Sequence, residues 1–291
     1  MAIALFVVVV LYTRDKLPES VEPVVGRVFQ HENNIDIEDT YRPMYDVGTC
    51  RDLSGTPYVL SIYIDDDESS WTVEEAENFQ NSVVVPGLEF VNEQAALWGV
   101  SLDLGSGMYV TNSSKDISIQ YDGTILTLLN GEATPREEIL KQAARSMGFL
   151  STKSFYRHLQ ELTGEEQVAI LLCVNKEGRS HAQNEYKADD GEEIECCVVY
   201  SSWVRPTGYS AVSHELLHSF GAEDLYEEKS TGERAGRAAI AEQYYPNDIM
   251  LSSWGGSEVS AYTAYAVGWT HELPEECVVS EFWEGHWSRE D

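Results

Sequence analysis

Two histidines four residues apart, a glutamate after the first and a glycine three residues after the second restrict residues 208–226 (GYSAVSHELLHSFGAEDLY) more than any other stretch of this chain. A spacing of four puts the imidazoles of His214 and His218 one turn apart on the same helix face, where they can hold a single ion. Ser210 suits the N-cap. A helix is expected over 211–220, with Val212, Leu216, Leu217 and Phe220 as its buried side. Glu215 is rotated about 100° from His214, outside the ligand shell but near a water on the ion. Gly221 can take the left-handed conformation that ends a helix sharply. Asp224, six residues after His218, then stands where a third ligand returns to the ion.

H-E-x-x-H arises by accident in roughly one or two chains per hundred of this composition. Requiring Gly221 and Asp224 as well lowers that about a hundredfold, which makes an ordinary surface helix the poorer reading.

The rest of the chain frames this segment. Residues 2–12 (AIALFVVVVLY) are apolar and precede Arg14 and Lys16. As a helix they reach about 16 Å against a hydrocarbon core of about 30 Å, too short to span a bilayer alone. A signal core, the remnant of a membrane anchor and a valine-rich strand remain open for 1–16. The first two imply an extracellular, secreted or membrane-anchored protein, with any membrane contact made through this segment alone. Residues 17–55 read as a linker or pro-segment. One α+β domain is expected over 56–275, followed by an acidic tail at 276–291.

Within that domain, 57–64 (PYVLSIYI) reads as a strand ending in the run Asp65, Asp66, Asp67, Glu68. That run reads first as a solvated turn and second as a Ca²⁺ site. Thr72 and Glu75 form a capping box opening a helix toward Trp98, interrupted or kinked at Pro86-Gly87. Short strands are expected at 100–104, 117–121 and 124–129, the last two joined as a hairpin at Asp122-Gly123. Helices follow from Thr134-Pro135 to Gly148 and over 153–162, then strands at 168–174 and 194–200.

The formal charge of −31, with 50 acidic against 19 basic residues, repels phosphate backbones and excludes a nucleic-acid partner. Five cysteines without C-x-x-C spacing give neither a disulfide framework nor a cysteine zinc site. Cys196 and Cys197 read as neighbours on opposite faces of a strand.

HELLHSFGAED resembles the H-E-x-x-H-x-x-G-x-x-H/D signature of metzincin-type zinc peptidases, in the snapalysin-like variant with aspartate as third ligand. HSFGAEDLY is also similar to the Gly-x-x-Asp-x-Tyr run of immune inhibitor A-type peptidases. The resemblance implies a twisted mixed sheet, a long helix, the zinc helix, a Met-turn and a C-terminal helix. YYPNDIMLSSWG (244–255) is similar to the Met-turn, with Met250 its methionine, 32 residues after His218, and 257–269 to the last helix. The two helices between 135 and 162 are additional to a minimal member.

The implied cofactor is Zn²⁺ on His214, His218 and Asp224, with Glu215 as general base. The implied activity is endopeptidase cleavage of a protein or peptide substrate. The other classes left open are a zinc-stabilised binding module without turnover and a zinc amidase acting on cell-wall material. An aspartate ligand neutralises more of the ion's charge than an imidazole, so a more basic water is expected than at an all-histidine site. Tyr226, Tyr244 and Tyr245 are candidates to assist the oxyanion, and the strand at 169–174 running on to NKEGRSHA is similar to the family's cleft-edge strand. Arg179 and His181 read as surface residues. Cys50 is placed ahead of the first strand, where some members keep a blocking thiolate, but its flanking DVGTCRDLSG does not match their pattern.

Overall fold

The computed structural model describes residues 53–279 and 282, apart from 111–115, 128–132, 183–193, 203–207, 228–231, 233 and 253–255. The apolar run at 2–12, most of the 17–55 segment with Cys50, and most of the tail expected at 276–291 lie outside these residues. Among the described residues no helix is long and apolar enough to cross a membrane.

The protein is α+β with a mixed six-stranded sheet. Strands β1 (Tyr58–Asp65), β4 (Val168–Glu177) and β6 (Cys196–Ser202) lie side by side and parallel. On the outer side of β1, β2 (Gly105–Met108) pairs with its first half and β3 (Ser118–Gln120) with its second, both parallel. At the opposite edge β5 (His181–Ala182) runs antiparallel to β6.

The central strands are apolar at successive positions because both faces of the sheet are covered. One face, with Val59, Tyr63, Leu171, Cys173, Cys197 and Val199, belongs to the core that includes the 208–226 segment. The other, with Ile62, Ile170, Leu172, Cys196 and Val198, packs against α3 (Arg136–Ser146) and α4 (Thr152–Thr163). Cys196 and Cys197 thus face opposite ways, and the four described cysteines are buried and outside any disulfide.

The capping box forms as expected: Thr72 accepts from Glu75 N–H and Glu75 accepts from Thr72 N–H, opening α1 (Val73–Phe79). Pro86 does not break the helix. A π turn over Gln80–Val84 carries it into α2 (Val85–Leu97), and the wider turn absorbs the amide that proline lacks.

Several expectations are corrected. Among the described residues there is no hairpin at Asp122-Gly123: β3 pairs in parallel with β1, and 124–127 form no strand. Residues 100–104 are not a strand beyond an isolated bridge from Leu102 to Gly55. The helix expected over 257–269 is confined to α7 (Ala261–Ala266), and an unexpected helix, α6 (Ala235–Tyr244), precedes the turn at Met250. The packed body reaches past 56 and 275 at both ends. Leu53 is buried, donates its N–H to Val267 and accepts from the Trp269 indole, while Cys277 and Phe282 are buried in the same core.

Candidate metal centre

Helix α5 (Gly208–Ser219) starts two residues before the expected N-cap, so Ser210 lies inside it. It is buried on nearly every side. Val212, Leu216 and Leu217 are inaccessible to solvent, and Ser213 is buried too, donating to the Gly87 carbonyl on α2 at 2.8 Å. His214, Glu215 and His218 are each less than one-tenth exposed. Gly221 has φ of 105°, the positive value expected of the glycine bend, and beyond it Asp224 returns to the helix.

The three expected ligands meet. His214 Nε2 and His218 Nε2 lie 3.1 Å apart, and Asp224 Oδ1 lies 3.2 Å from the first and 3.1 Å from the second. Among the described residues no other group of three His, Cys, Asp or Glu side chains converges in this way.

Backbone carbonyls decide the tautomers. His214 Nδ1 is 2.9 Å from Ile249 O, and His218 Nδ1 is 2.7 Å from Ala222 O. A carbonyl only accepts, so each Nδ1 carries the proton and each Nε2 of the neutral ring presents a lone pair. Two nitrogen lone pairs and a carboxylate oxygen therefore face one another, an arrangement that repels unless a cation stands among them. Donors bound tetrahedrally at about 2.0–2.1 Å lie about 3.3 Å apart, so the spacing and the N, N, O chemistry suit Zn²⁺. With no ion among them, a proton takes the cation's place, and the shifts are those of a carboxylate beside an imidazolium. Burial opposes ionisation of Asp224, but the two histidines outweigh it and hold the carboxyl well below its usual range. Burial likewise opposes a charged His218, and Asp224 outweighs it and holds the imidazole above its ordinary value.

Glu215 sits beside this cluster in a different state. Burial, reinforced by Asp224 and opposed by His214, pushes its carboxyl up to about 7. The carboxylate accepts a hydrogen bond from Ala182 N–H on the edge strand, and Oε2 has no partner among the described residues.

The turn at Met250 braces the ligands from behind. Ile249 O orients His214, while Met250 O accepts from Leu225 N–H, the residue after Asp224. Asp248 ties the turn by accepting from Met250 N–H at 2.6 Å and Ser260 N–H at 2.7 Å. Met250 itself is fully buried.

Of the three tyrosines only Tyr226 reaches the site, where its hydroxyl bonds to Asp224 and accepts from Arg179. Tyr244 is exposed and Tyr245 is bonded to Glu276. Arg179 is exposed as expected, yet it stands at the rim of the centre. His181, expected on the surface, is half-buried in β5. The strand at 169–174 is central, and the edge beside Glu215 is β5, the last two residues of the NKEGRSHA run. The acidic run after β1 is not gathered as a ligand set. Asp65 accepts from Trp71 N–H and the Ser118 hydroxyl, and Lys176 places its ammonium between Asp66 and Glu68.

Sequence reasoning did not anticipate Arg234, the Ile249 carbonyl or the Ala182 amide. Two of these are backbone groups, which carry no residue-type signal. No protein-family model matches the chain, and no curated protein matches it.

Proposed function

We propose that the chain is an exported, zinc-dependent endopeptidase of the metzincin type, acting on proteins or peptides. The observation that carries this reading is Glu215, a buried carboxylate with an unpartnered oxygen, set against three converging lone-pair donors. A centre that only braced the fold would have no use for it. The antiparallel edge strand beside the helix, the glycine bend and the braced turn at Met250 support the family reading, and the apolar run at 2–12 supports export.

His214, His218 and Asp224 would hold the ion, leaving a fourth position open. Bound there, Zn²⁺ would acidify a water toward a pKa of about 7 and polarise a carbonyl. Glu215 takes the proton of the attacking water on Oε2 and delivers it to the departing amine. A carboxyl poised near 7 can do both, because neither accepting nor releasing the proton is steeply uphill. Tyr226, whose one hydroxyl proton goes to Asp224, would turn from it to serve negative charge developing on the carbonyl oxygen. An extended substrate would pair with the outer edge of β5, drawing affinity from backbone hydrogen bonds with little demand on its sequence.

The test is casein and peptide-library cleavage by wild type and Glu215→Gln, with zinc measured in both. Wild type is expected to carry one zinc per chain and to cleave. Glu215→Gln should keep its zinc and lose about 10²–10⁴-fold in rate. Zinc-loaded wild type that cleaves nothing would sink the endopeptidase reading in favour of a binding module. Cleavage confined to cell-wall material would move it to an amidase.

A further inference from the structure

Asp224 divides its two oxygens. Oδ1 faces both imidazoles, while Oδ2 accepts a hydrogen bond from the Arg234 guanidinium at 3.3 Å. The same guanidinium lies over the Tyr226 ring, 5.6 Å from its centre, and the Tyr226 hydroxyl bonds back to Asp224. Arg234 therefore grips the third ligand directly and also packs on the side chain that flanks it.

The backbone at this residue is unusual. Arg234 has φ of 65°, the only positive φ at a non-glycine position among the described residues. It stands immediately before α6, in the N-cap position, and makes no side-chain cap there. A left-handed backbone disfavours every L side chain and suits glycine. An arginine at such a place is held by what its side chain does, and that side chain points to the ligand cluster.

We propose that Arg234 is a positioning residue of the metal centre, restricting Asp224 to ligation through one oxygen and offsetting the charge that an aspartate ligand adds. The proposal rests on the zinc reading above. Without the guanidinium, the Asp224 carboxylate keeps only the Tyr226 hydroxyl besides the two rings and is freer to present either oxygen or both, so the third donor is less firmly fixed. The charges point the same way. Two neutral imidazoles and one carboxylate leave a divalent ion with one net positive charge, and the guanidinium beside Oδ2 restores a second. An aspartate-ligated centre braced in this way approaches the charge of an all-histidine one, against the expectation raised by the ligand set alone.

Arg234→Gly separates ligand positioning from folding, because glycine suits the backbone and removes only the side chain. The zinc dissociation constant is measured by competition with a chromophoric chelator, and the unfolding midpoint is measured on the metal-free proteins. The glycine variant should bind zinc about ten- to a hundred-fold more weakly, with a metal-free midpoint equal to or above wild type. Zinc bound as tightly as in wild type, or more tightly, overturns the proposal while leaving the metal reading intact. A lower metal-free midpoint assigns Arg234 a merely structural role and also overturns it. A wild-type chain that takes up no zinc overturns the metal reading and this proposal together.

Discussion

Five protein donors converge on the carboxylate of Asp66. Oδ1 accepts from Glu68 N–H, Ser69 N–H and the Ser69 hydroxyl, and Oδ2 from Ile125 N–H and the Lys176 ammonium. Burial alone would raise its pKa, but the Lys176 bond and the other donors outweigh it and hold the carboxyl below its ordinary value. A carboxylate depressed in the folded state adds stability above its unfolded pKa of about 3.9, and that stability is lost as pH falls through the folded value. Asp66→Asn should therefore cost about 3 kcal/mol at neutral pH, since it leaves the Lys176 ammonium, little exposed, without its closest partner. In urea melts the gap to wild type should narrow on acidification below about pH 4. A gap that stayed constant across that range would show that packing, not charge, is what Asp66 supplies. Glu215 is the opposite case at the same scale: burial wins, few donors answer it, and the proton is held toward neutrality.

Between elements, the decisive contact is the crossing of α2 and α5 at Gly87. A Cβ there would lie 2.9 Å from Tyr209 O and 3.0 Å from Val212 Cβ, so only glycine lets the helices approach this closely. Gly87→Ala brings two opposing effects. Alanine is the better helix former by about 1 kcal/mol, while forcing two packed backbones apart costs about 1–3 kcal/mol. A backbone oxygen cannot rotate away as a side chain can, so the clash wins. A net loss of about 1–2 kcal/mol is expected in denaturant titrations, together with weaker zinc binding if the proposed centre holds, because α5 carries both imidazoles. An unchanged or raised stability would show that the crossing has slack. The turn at Met250 works on the other side of the same helix, setting the His214 ring through one carbonyl and the residue after Asp224 through the next.

At the scale of the whole molecule, a net charge of −31 strains the compact state by self-repulsion. Salt shortens the reach of that repulsion, from about 10 Å at 0.1 M to about 3 Å at 1 M. The unfolding midpoint should rise by several degrees between roughly 0.02 and 0.5 M NaCl, more than for a neutral chain of this size. A calorimetric midpoint indifferent to salt would mean that the acidic groups are already paired locally, as Asp66 is. The sheet, covered by helices on both faces, supplies the rigid frame on which these charges are carried.

The cluster of His214, His218 and Asp224 was legible in the chain because it is local. His214, His218, Gly221 and Asp224 fall within eleven residues, and helix pitch with one glycine bend settles where their side chains go. Start signals announced α1 and α3, and apolar runs the central strands, for the same short-range reason. What sequence could not announce came from far along the chain. The pairing of β3 with β1, the edge position of β5, the Ile249 carbonyl behind His214, the Ala182 amide on Glu215 and the arginine on Asp224 each join separate segments. Nothing periodic marks such partners, since they are selected by which surfaces can be buried together once the sheet and helices have formed. Short-range geometry placed His214, His218 and Asp224 together, and long-range packing set their hydrogen bonds, their charge and the state of the Glu215 carboxyl beside them.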